Sequence, residues 1–209
     1  DIHHDLNANL YAIVKLPFGF EYQMNFTPRY HWYEYMNHES AEHPEWAGDG
    51  GRSERKNEKT FNWQVDNILR WKKEFGEDHR VEATFLQNAE KGQWWKTVAQ
   101  NKLYSPSDIL GFHNIGAGTA PSVSSEDTYK TGDALMGRLF YSFKDKYMLT
   151  ASVRRDGYSA FGSMNPHAVF PAVALGWVFT SEKFMEKTSD WLNYGKLRFS
   201  WGQNGNRDI

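Results

Sequence analysis

Two adjacent tryptophans, Trp94 and Trp95, are the residues best suited to hold a ligand, and Tyr104 follows them. Sugar rings stack on aromatic faces through their C–H surfaces, and Trp and Tyr offer a large apolar ring with a polar tip. We therefore predict a substrate-binding role for Trp94, Trp95 and Tyr104. The alternative is a belt of aromatic side chains at a membrane interface, which the strand pattern below also supports.

The histidines of this chain, the usual ligands of catalytic metals, are not spaced as metal ligands are in known motifs. The eight histidines are scattered and form no H-E-x-x-H or similar motif. His38 and His43 lie among glutamates, a composition that is typical of a solvated acidic loop. Residues Gly157–Phe161 begin like a G-x-S-x-G nucleophile elbow but end in Phe. We predict no catalytic residue, no metal site and no cofactor.

Composition narrows the possible partners. The 209 residues carry a formal net charge of −2, no cysteine, and 16% aromatic residues. A near-neutral balance argues against nucleic acid as a partner, because such proteins usually present a basic face. The lack of cysteine excludes disulfides and thiolate metal sites. The aromatic content fits either a barrel with aromatic girdles or a soluble, carbohydrate-binding β-sandwich.

The elements that must position these residues are strands with two different faces. In Tyr147–Arg154 the odd-numbered residues are apolar and most of the even-numbered ones are polar. Successive strand side chains point to opposite faces, so such a strand lies between an apolar and a wet environment. Strands of about 9–11 residues cross a bilayer when they are tilted by roughly 45°.

Eight strands are predicted in four hairpins, at residues 9–16, 20–32, 60–73, 79–88, 133–143, 147–156, 169–178 and 195–201. We expect a local irregularity at Pro28, which cannot donate to a ladder. Short turns at 17–19, 76–78 and 144–146 alternate with long loops at 37–59, 89–131 and 157–167, and residues 122–127 are predicted to be irregular. A short helix with Ser181 as its N-cap is predicted at 181–187. Transmembrane barrels have this asymmetry, with short periplasmic turns and long extracellular loops.

Four phrases of the sequence resemble the C-terminal barrel portion of the SusC/RagA family of TonB-linked (TonB-dependent) outer-membrane transporters. They occur in the expected order at Gly137–Gly157, Ser159–Gly162, Phe170–Trp177 and Lys196–Asn206. The first 130 residues resemble the family only in their general sequence pattern. The chain begins without a signal peptide, and both ends look cut, so we expect an excerpt of a longer protein.

The resemblance implies an all-β fold, an antiparallel transmembrane β-barrel segment that contributes about eight strands to a plugged barrel of about 22. Residues 1–209 would be part of a single TonB-dependent receptor-type barrel domain, with the plug domain and TonB box absent from this chain. It further implies import of glycan oligosaccharides or peptides across the outer membrane of a Gram-negative, Bacteroidota-like bacterium. The expected partners are a SusD-like surface lipoprotein, the TonB complex and outer-membrane lipid.

Two other hypotheses remain open at this stage. One is the soluble carbohydrate-binding β-sandwich, and the other is an outer-membrane hydrolase that uses Ser159 or a histidine, although we expect no enzyme activity. An isolated eight-stranded barrel with a filled interior would fit a complete chain. Seven cations are expected to face the lumen: Arg29, Arg70, Lys72, Arg138, Arg154, Lys196 and Arg198. They would bias passage toward anionic cargo, although acidic residues elsewhere in the chain offset their charge.

Overall fold

A computed structural model describes residues 1–105, 107–159, 167–188 and 190–205. Nine strands form one sheet in the order β1-β3-β4-β5-β6-β7-β8-β9, and β2 also pairs with β3. The pairs β1–β3, β2–β3, β6–β7, β7–β8 and β8–β9 are antiparallel. The strands are β1 (Ile2–Asn7), β2 (Leu10–Lys15), β3 (Phe20–Glu39), β4 (Arg52–Phe75), β5 (His79–Lys102), β6 (Ser122–Phe143), β7 (Tyr147–Tyr158), β8 (His167–Trp177) and β9 (Leu197–Gly202).

The short turns occur where the sequence predicts them. A 3-10 turn at Pro17–Gly19 joins β2 to β3, residues 76–78 join β4 to β5, and residues 144–146 join β6 to β7. Lys144 and Asp145 both have positive φ, 54° and 49°, a backbone conformation that reverses the chain within few residues. Among the described residues, no helix is both long and apolar enough to cross a membrane.

The predicted strand lengths are wrong for four strands. β4 and β5 have 24 residues each, β6 has 22 and β3 has 20. Residues 52–59, 89–102 and 122–131 were predicted to lie in loops but belong to these strands. In these segments the alternation of apolar and polar residues stops, but the backbone ladder continues. Polar side chains contact one another there; for example, Lys56 Nζ lies 3.5 Å from Glu58 Oε1.

The ninth strand, β1, was not predicted, and it explains the expected irregularity at Pro28. Asn7 pairs with Arg29 and Leu10 pairs with Phe26, so β1 and β2 run along β3 in one register. They are separate strands because Pro28 has no N–H to donate. Ala8 N–H still donates to Pro28 O at 3.1 Å.

The predicted helix at 181–187 is replaced by two 3-10 helices, at Phe179–Ser181 and Lys183–Thr188. Ser181 is the last residue of the first helix rather than the N-cap of a helix at 181–187. Between them Glu182 has an extended backbone, with φ −82° and ψ 145°. Its side chain is hydrogen-bonded to the sheet, and this interrupts the helix.

The described chain divides into two compact units. The loop unit comprises Asp1–Asn9, Thr27–Trp63 and Lys91–Lys130 and contains the connections 40–51 and 103–121. The turn unit comprises Leu10–Phe26, Gln64–Glu90 and Thr131–Ile209 and contains the three short turns.

In the turn unit the sheet has one apolar and one polar face. Directly paired residues form apolar rows across β6 to β9: Tyr141, Leu149, Leu175 and Phe199, then Leu139, Ala151, Val173 and Trp201. The alternate rows are mostly small or polar: Arg138, Ser152, Ala172 and Gly202, then Phe140, Thr150, Ala174 and Ser200. We call these the apolar face and the polar face.

No second layer of protein covers the apolar face within the described residues. Leu149, Leu175 and Phe199 are 38%, 51% and 65% exposed. Only two apolar side chains are buried anywhere in the described part of the chain, those of Ala134 and Val178. A β-sandwich buries the inner faces of two sheets against each other, so the sandwich alternative does not fit this fold.

Candidate functional site

Trp94 and Trp95 lie side by side in β5 and therefore point to opposite faces of the sheet. Both are half-buried. They cannot stack on the same sugar ring from one side. This placement could be predicted from the sequence, because neighbouring residues of any strand point to opposite faces.

Trp94 shares its face with a polar cluster of the loop unit. Trp94 and Gln100 are both even-numbered residues of β5, so their side chains point to the same face. Gln100 Nε2 donates to Glu54 Oε2 at 2.6 Å. On the same face of β4, the Lys56 ammonium lies 4.9 Å from the centre of the Tyr33 ring, an attractive cation–π arrangement.

The same face of the loop unit continues onto β1 with further aromatic and ionisable groups. The imidazole of His3 stacks on Tyr33 with centroids 4.6 Å apart. His31 Nδ1 lies 2.7 Å from Asp5 Oδ1. Rings and charged groups that alternate in this way can bind the C–H surfaces and hydroxyls of a sugar, or the side chains of a peptide.

Trp95 lies on the other face of the loop unit, in an open groove of about 630 Å³ that Tyr30, Trp32 and Lys59 also line. The Lys59 ammonium lies 5.6 Å from the Trp32 ring centre. The buried Trp32 Nε1 has no hydrogen-bond partner among the described residues. Aromatic rings beside a lysine are typical of a membrane interface, so this groove fits the aromatic-belt interpretation.

Tyr104 is placed apart from both tryptophans, in the connection 103–121. Its backbone N–H donates to Gly50 O at 3.1 Å. Its ring meets the imidazole of His38 edge-on, with centroids 6.3 Å apart. The three predicted site residues therefore do not form a single site.

A cluster that the sequence did not reveal links the two long connections of the loop unit. His38 Nδ1 lies 2.9 Å from Ser53 Oγ, and His38 Nε2 lies 3.5 Å from Asp108 Oδ2. Asp108 also accepts a hydrogen bond from the Ala41 N–H at 2.8 Å. We call these four residues the loop clasp. The Ala41 N–H, with the Ser40 side chain and His38, holds the pKa of Asp108 below its usual value despite partial desolvation.

The Ser53–His38–Asp108 arrangement resembles a hydrolase triad but cannot act as one. The Ser53 side chain is fully buried, with 0% exposure, so no substrate carbonyl can reach its Oγ. Ser159 donates its N–H to Thr131 O at 2.9 Å and ends the described segment. The phrase Ser159–Gly162 otherwise lies outside the described residues.

Further contacts hold the same connections together. Lys102 Nζ lies 2.7 Å from Asp49 Oδ2, and Leu103 N–H donates to Asp49 O at 2.9 Å. Asn101, only 3% exposed, donates through Nδ2 to Ile115 O and Gly118 O at 2.8 and 2.9 Å. This buried amide satisfies two carbonyls and ties Ile115 and Gly118 to the end of β5.

In the turn unit a single carboxylate, Glu182, ties the connection after β8 to the sheet. It accepts hydrogen bonds from Tyr147 Oη, from Trp177 Nε1 at 3.1 Å and from Lys146 Nζ at 3.1 Å. These donors, led by Tyr147, lower the pKa of Glu182 to about 2. The described residues contain no group of three or more side chains arranged to hold a metal ion.

Three of the cations expected on the polar face of the turn unit, Arg70, Lys72 and Arg154, have acidic or amide partners. Arg70 Nη1 donates to Glu21 Oε1 at 3.1 Å and to Gln23 Oε1 at 2.7 Å. Arg154 Nε donates to both oxygens of Asp156, at 2.8 and 3.0 Å. Such pairs offset the charge of Arg70 and Arg154.

Comparison with known proteins agrees with this architecture. Residues 3–207 match the family described as TonB dependent receptor-like, beta-barrel. TonB-dependent receptor P26 of Formosa agariphila is 30% identical over 167 residues, which cover 78% of this chain and 17% of that protein. TonB-dependent receptor SusC of Bacteroides thetaiotaomicron is 32% identical over 123 residues, covering 57% of this chain and 11% of that protein.

A solved structure, that of the RagAB peptide transporter, superposes with a TM-score of 0.89 at 21% identity. The superposition covers 99% of this chain and 23% of the RagAB chain, so the match concerns the fold. The chain therefore spans less than a quarter of the relatives it matches. The resemblance expected from the four phrases is confirmed, and the chain belongs to the TonB-dependent receptor-like β-barrel family of the outer membrane.

Proposed function

We propose that this chain forms part of the barrel wall of an outer-membrane importer that takes up glycan oligosaccharides or peptides. TonB supplies the energy, and a SusD-like lipoprotein closes the barrel from the cell surface. Residues 1–209 form part of one barrel domain, and the plug and TonB box lie outside them. The single nine-stranded sheet and the family match over residues 3–207 support this assignment.

The observation that carries the proposal is the contrast between the two faces of the turn unit. Leu139, Val173 and Trp201 are 47%, 40% and 52% exposed on one face, whereas Thr150, Ser152 and Ser200 occupy the other. An exposed apolar band of this kind satisfies acyl chains, and a polar face suits a water-filled passage. A paired ladder leaves no backbone group unsatisfied in hydrocarbon.

The loop unit provides the surface that meets cargo and lid. Trp94, Tyr33 and Lys56 lie on the face of the loop unit that carries the polar cluster described above, and they are our candidates for contact with cargo. Tyr104 is the candidate in the connection 103–121, which the loop clasp holds in place for the lipoprotein. Trp95, on the opposite face, is better placed for the membrane interface. The solved structure described as the RagAB peptide transporter supports the peptide class, and the glycan class rests on the family resemblance of the four phrases.

Uptake by the full-length protein in the outer membrane tests the proposal. Fluorescent maltooligosaccharides and a mixture of fluorescent oligopeptides serve as probes, with and without a protonophore. We expect accumulation of one probe class that stops when the protonophore removes the energy source. Uptake that continues in the presence of the protonophore, or no uptake of either class of probe, would overturn the proposal.

Two tryptophan variants then separate cargo contact from membrane contact. Trp94→Ala removes a ring that we place on the cargo side and should lower uptake about two- to tenfold, given roughly 0.5–1.5 kcal/mol for an aromatic contact. Trp95→Ala is the matched control and should leave uptake unchanged. Equal losses in the two variants would contradict the assignment of their faces.

A further inference from the structure

A polar pocket of about 240 Å³ lies in the turn unit, apart from the aromatic residues considered above. Its lining residues come from β5 and β6: Arg80, Glu82, Thr84, Arg138 and Phe140. Arg138 and Phe140 belong to the two rows that define the polar face. Two guanidinium groups therefore converge on one small space.

Arg80 is held more loosely than Arg70 and Arg154 of the same unit. Its Nε lies 3.5 Å from Glu82 Oε1 and its Nη1 lies 3.6 Å from Asp145 Oδ1. Its Nε is buried and makes no hydrogen bond within the described residues. Arg154, in contrast, makes two hydrogen bonds to Asp156 at 2.8 and 3.0 Å. A buried donor without an acceptor costs free energy that an incoming acceptor would recover.

Arg138 is exposed and has no ion-pair partner among the described residues. The positions that continue its row across the sheet hold Ser152, Ala172 and Gly202. These small side chains leave room above the sheet beside the guanidinium. A ligand group can therefore approach Arg138 closely from the polar side.

The charges around the pocket leave a positive excess. Arg80, Arg138 and Lys72 contribute positive charge, and Glu82 and Asp145 contribute negative charge. Lys72 Nζ lies 3.9 Å from Glu82 Oε1, so the Glu82 carboxylate is shared between Lys72 and Arg80. The Phe140 ring centre lies 5.4 Å from the Arg80 guanidinium carbon and orients that group by a cation–π contact.

We propose that Arg80 and Arg138, with the Thr84 hydroxyl, bind a carboxylate, phosphate or sulfate group carried by the cargo. Planar guanidinium groups match such oxyanions through paired N–H donors. The inference rests on the proposed import function for its cargo, but anion binding by the pocket can be measured independently. Of the lumen-facing cations expected from the sequence the site uses Arg138, and it adds Arg80, whereas Arg70 and Arg154 already have partners.

Chemical labelling of arginine in the full-length protein, in detergent, tests anion binding directly. Phenylglyoxal modifies free guanidinium groups, and mass spectrometry reads each site. Inorganic phosphate is the probe, compared with chloride at equal ionic strength. At a phosphate concentration about ten times Kd, we expect roughly tenfold slower labelling of Arg80 and Arg138, with no phosphate effect at Arg70 or Arg154. Equal labelling of Arg80 and Arg138 in both salts would overturn the proposal.

Two variants and a control sharpen this test. Arg138→Gln should remove the phosphate protection of Arg80, because the pocket needs both cations. Glu82→Gln should tighten phosphate binding several-fold, because it removes the one carboxylate that lines the pocket. Arg154→Gln, the matched control on the same face, should leave protection of Arg80 and Arg138 unchanged. Weaker phosphate binding in Glu82→Gln would contradict the proposed site, since it would show that the carboxylate holds the pocket together.

A transport assay distinguishes cargo from a free inorganic anion. The probes are a fluorescent hexapeptide with one central glutamate and its glutamine analogue. We expect the native protein to prefer the acidic peptide and Arg138→Gln to lose that preference. Phosphate protection together with equal uptake of the two peptides would show a site for free anions and would overturn the cargo assignment. Absence of all uptake would instead count against the import function, while phosphate protection would still support the pocket.

Discussion

The turn unit and the loop unit use the same strands in different ways. In the turn unit, pairs such as Leu149 with Leu175 and Leu175 with Phe199 build a continuous apolar face. In the loop unit, β4 and β5 carry charged and amide side chains that pair with one another, as Gln100 does with Glu54. Apolar alternation is needed only where one face of a strand meets lipid, and the backbone ladder continues without it.

The two units also differ in how their connections are held. The short turns of the turn unit are held by contacts at the sheet end, such as Lys144 Nζ 3.5 Å from Asp78 Oδ2, and Glu182 ties the connection after β8 to the sheet. The long connections of the loop unit are fixed by the loop clasp and by Asn101, with Asp108 accepting from a backbone N–H at 2.8 Å. An apolar face suits contact with lipid, and connections held by several side chains form an ordered surface.

The largest expected effect comes from charge on the apolar face. Val173 lies in the middle of the 11-residue strand β8 and is 40% exposed. Val173→Arg should destabilise the full-length protein in lipid vesicles by about 2–4 kcal/mol, the cost of a cation near the bilayer midplane. The midpoint of urea denaturation measures it.

The adjacent residue supplies the control for that substitution. Ala174 lies on the polar face between Thr150 and Ser200, so Ala174→Arg should shift the urea midpoint much less. Equal shifts for the two variants would show that both faces meet the same environment.

The next largest effect is expected at the loop clasp. Asp108→Ala removes the acceptor of the Ala41 N–H and should accelerate hydrogen exchange of that amide roughly tenfold. Asp108→Asn keeps an acceptor oxygen and should accelerate it less. Mass spectrometry of peptides from residues 40–51 reports the rates, with peptides from β7 as the internal reference. Unchanged exchange in Asp108→Ala would contradict the clasp.

The fold was predictable from the sequence where one face of a strand is apolar. The hairpin turns at 17–19, 76–78 and 144–146 are confirmed, because hydrophobic alternation ends sharply on both sides of them. The extensions at 52–59 and 89–102 were missed, because their pairing partners are polar and distant in sequence.

The candidate site was less predictable than the fold. His38 and Asp108 are 70 positions apart in numbering, and only the register of the long strands brings them together. Ser53 carries no sequence motif that marks it. The separation of Trp94 from Trp95, in contrast, follows from strand geometry alone.

A smaller effect is expected from the protonation of Glu182. Its pKa of about 2 lies below the unfolded carboxyl value of about 4.3. The hydrogen bonds of Glu182 therefore stabilise the connection fully above about pH 4.3, and this contribution is lost as the pH falls toward 2. Hydrogen exchange of Phe179–Ser181 should accelerate, relative to intrinsic rates, over that range.

Glu182→Gln provides the comparison for the pH series. The variant lacks the ionisable group, so exchange in Phe179–Ser181 should be faster than in the native protein above pH 4.3 and should not change with pH in this way. A native-like pH profile in Glu182→Gln would assign the effect to another group.

The smallest expected effect is at Trp32. Its Nε1 is buried without a hydrogen-bond partner among the described residues, so Trp32→Phe removes an unsatisfied donor as well as ring area. These changes offset each other, and we expect the stability in vesicles to change by less than about 1 kcal/mol. A loss above about 2 kcal/mol by urea denaturation would show that a lipid headgroup accepts from this N–H.

Spin-label scanning of β7 tests most directly whether the two faces of the turn unit meet lipid and water. The chain has no cysteine, so single cysteines can be placed one at a time from Met148 to Arg154 in the full-length protein in vesicles. We predict that accessibility to oxygen peaks at the odd-numbered positions, including Leu149 and Val153, and accessibility to a water-soluble nickel chelate peaks at the even-numbered ones. Profiles that rise and fall together, or a chelate maximum at Leu149 and Val153, would contradict the account.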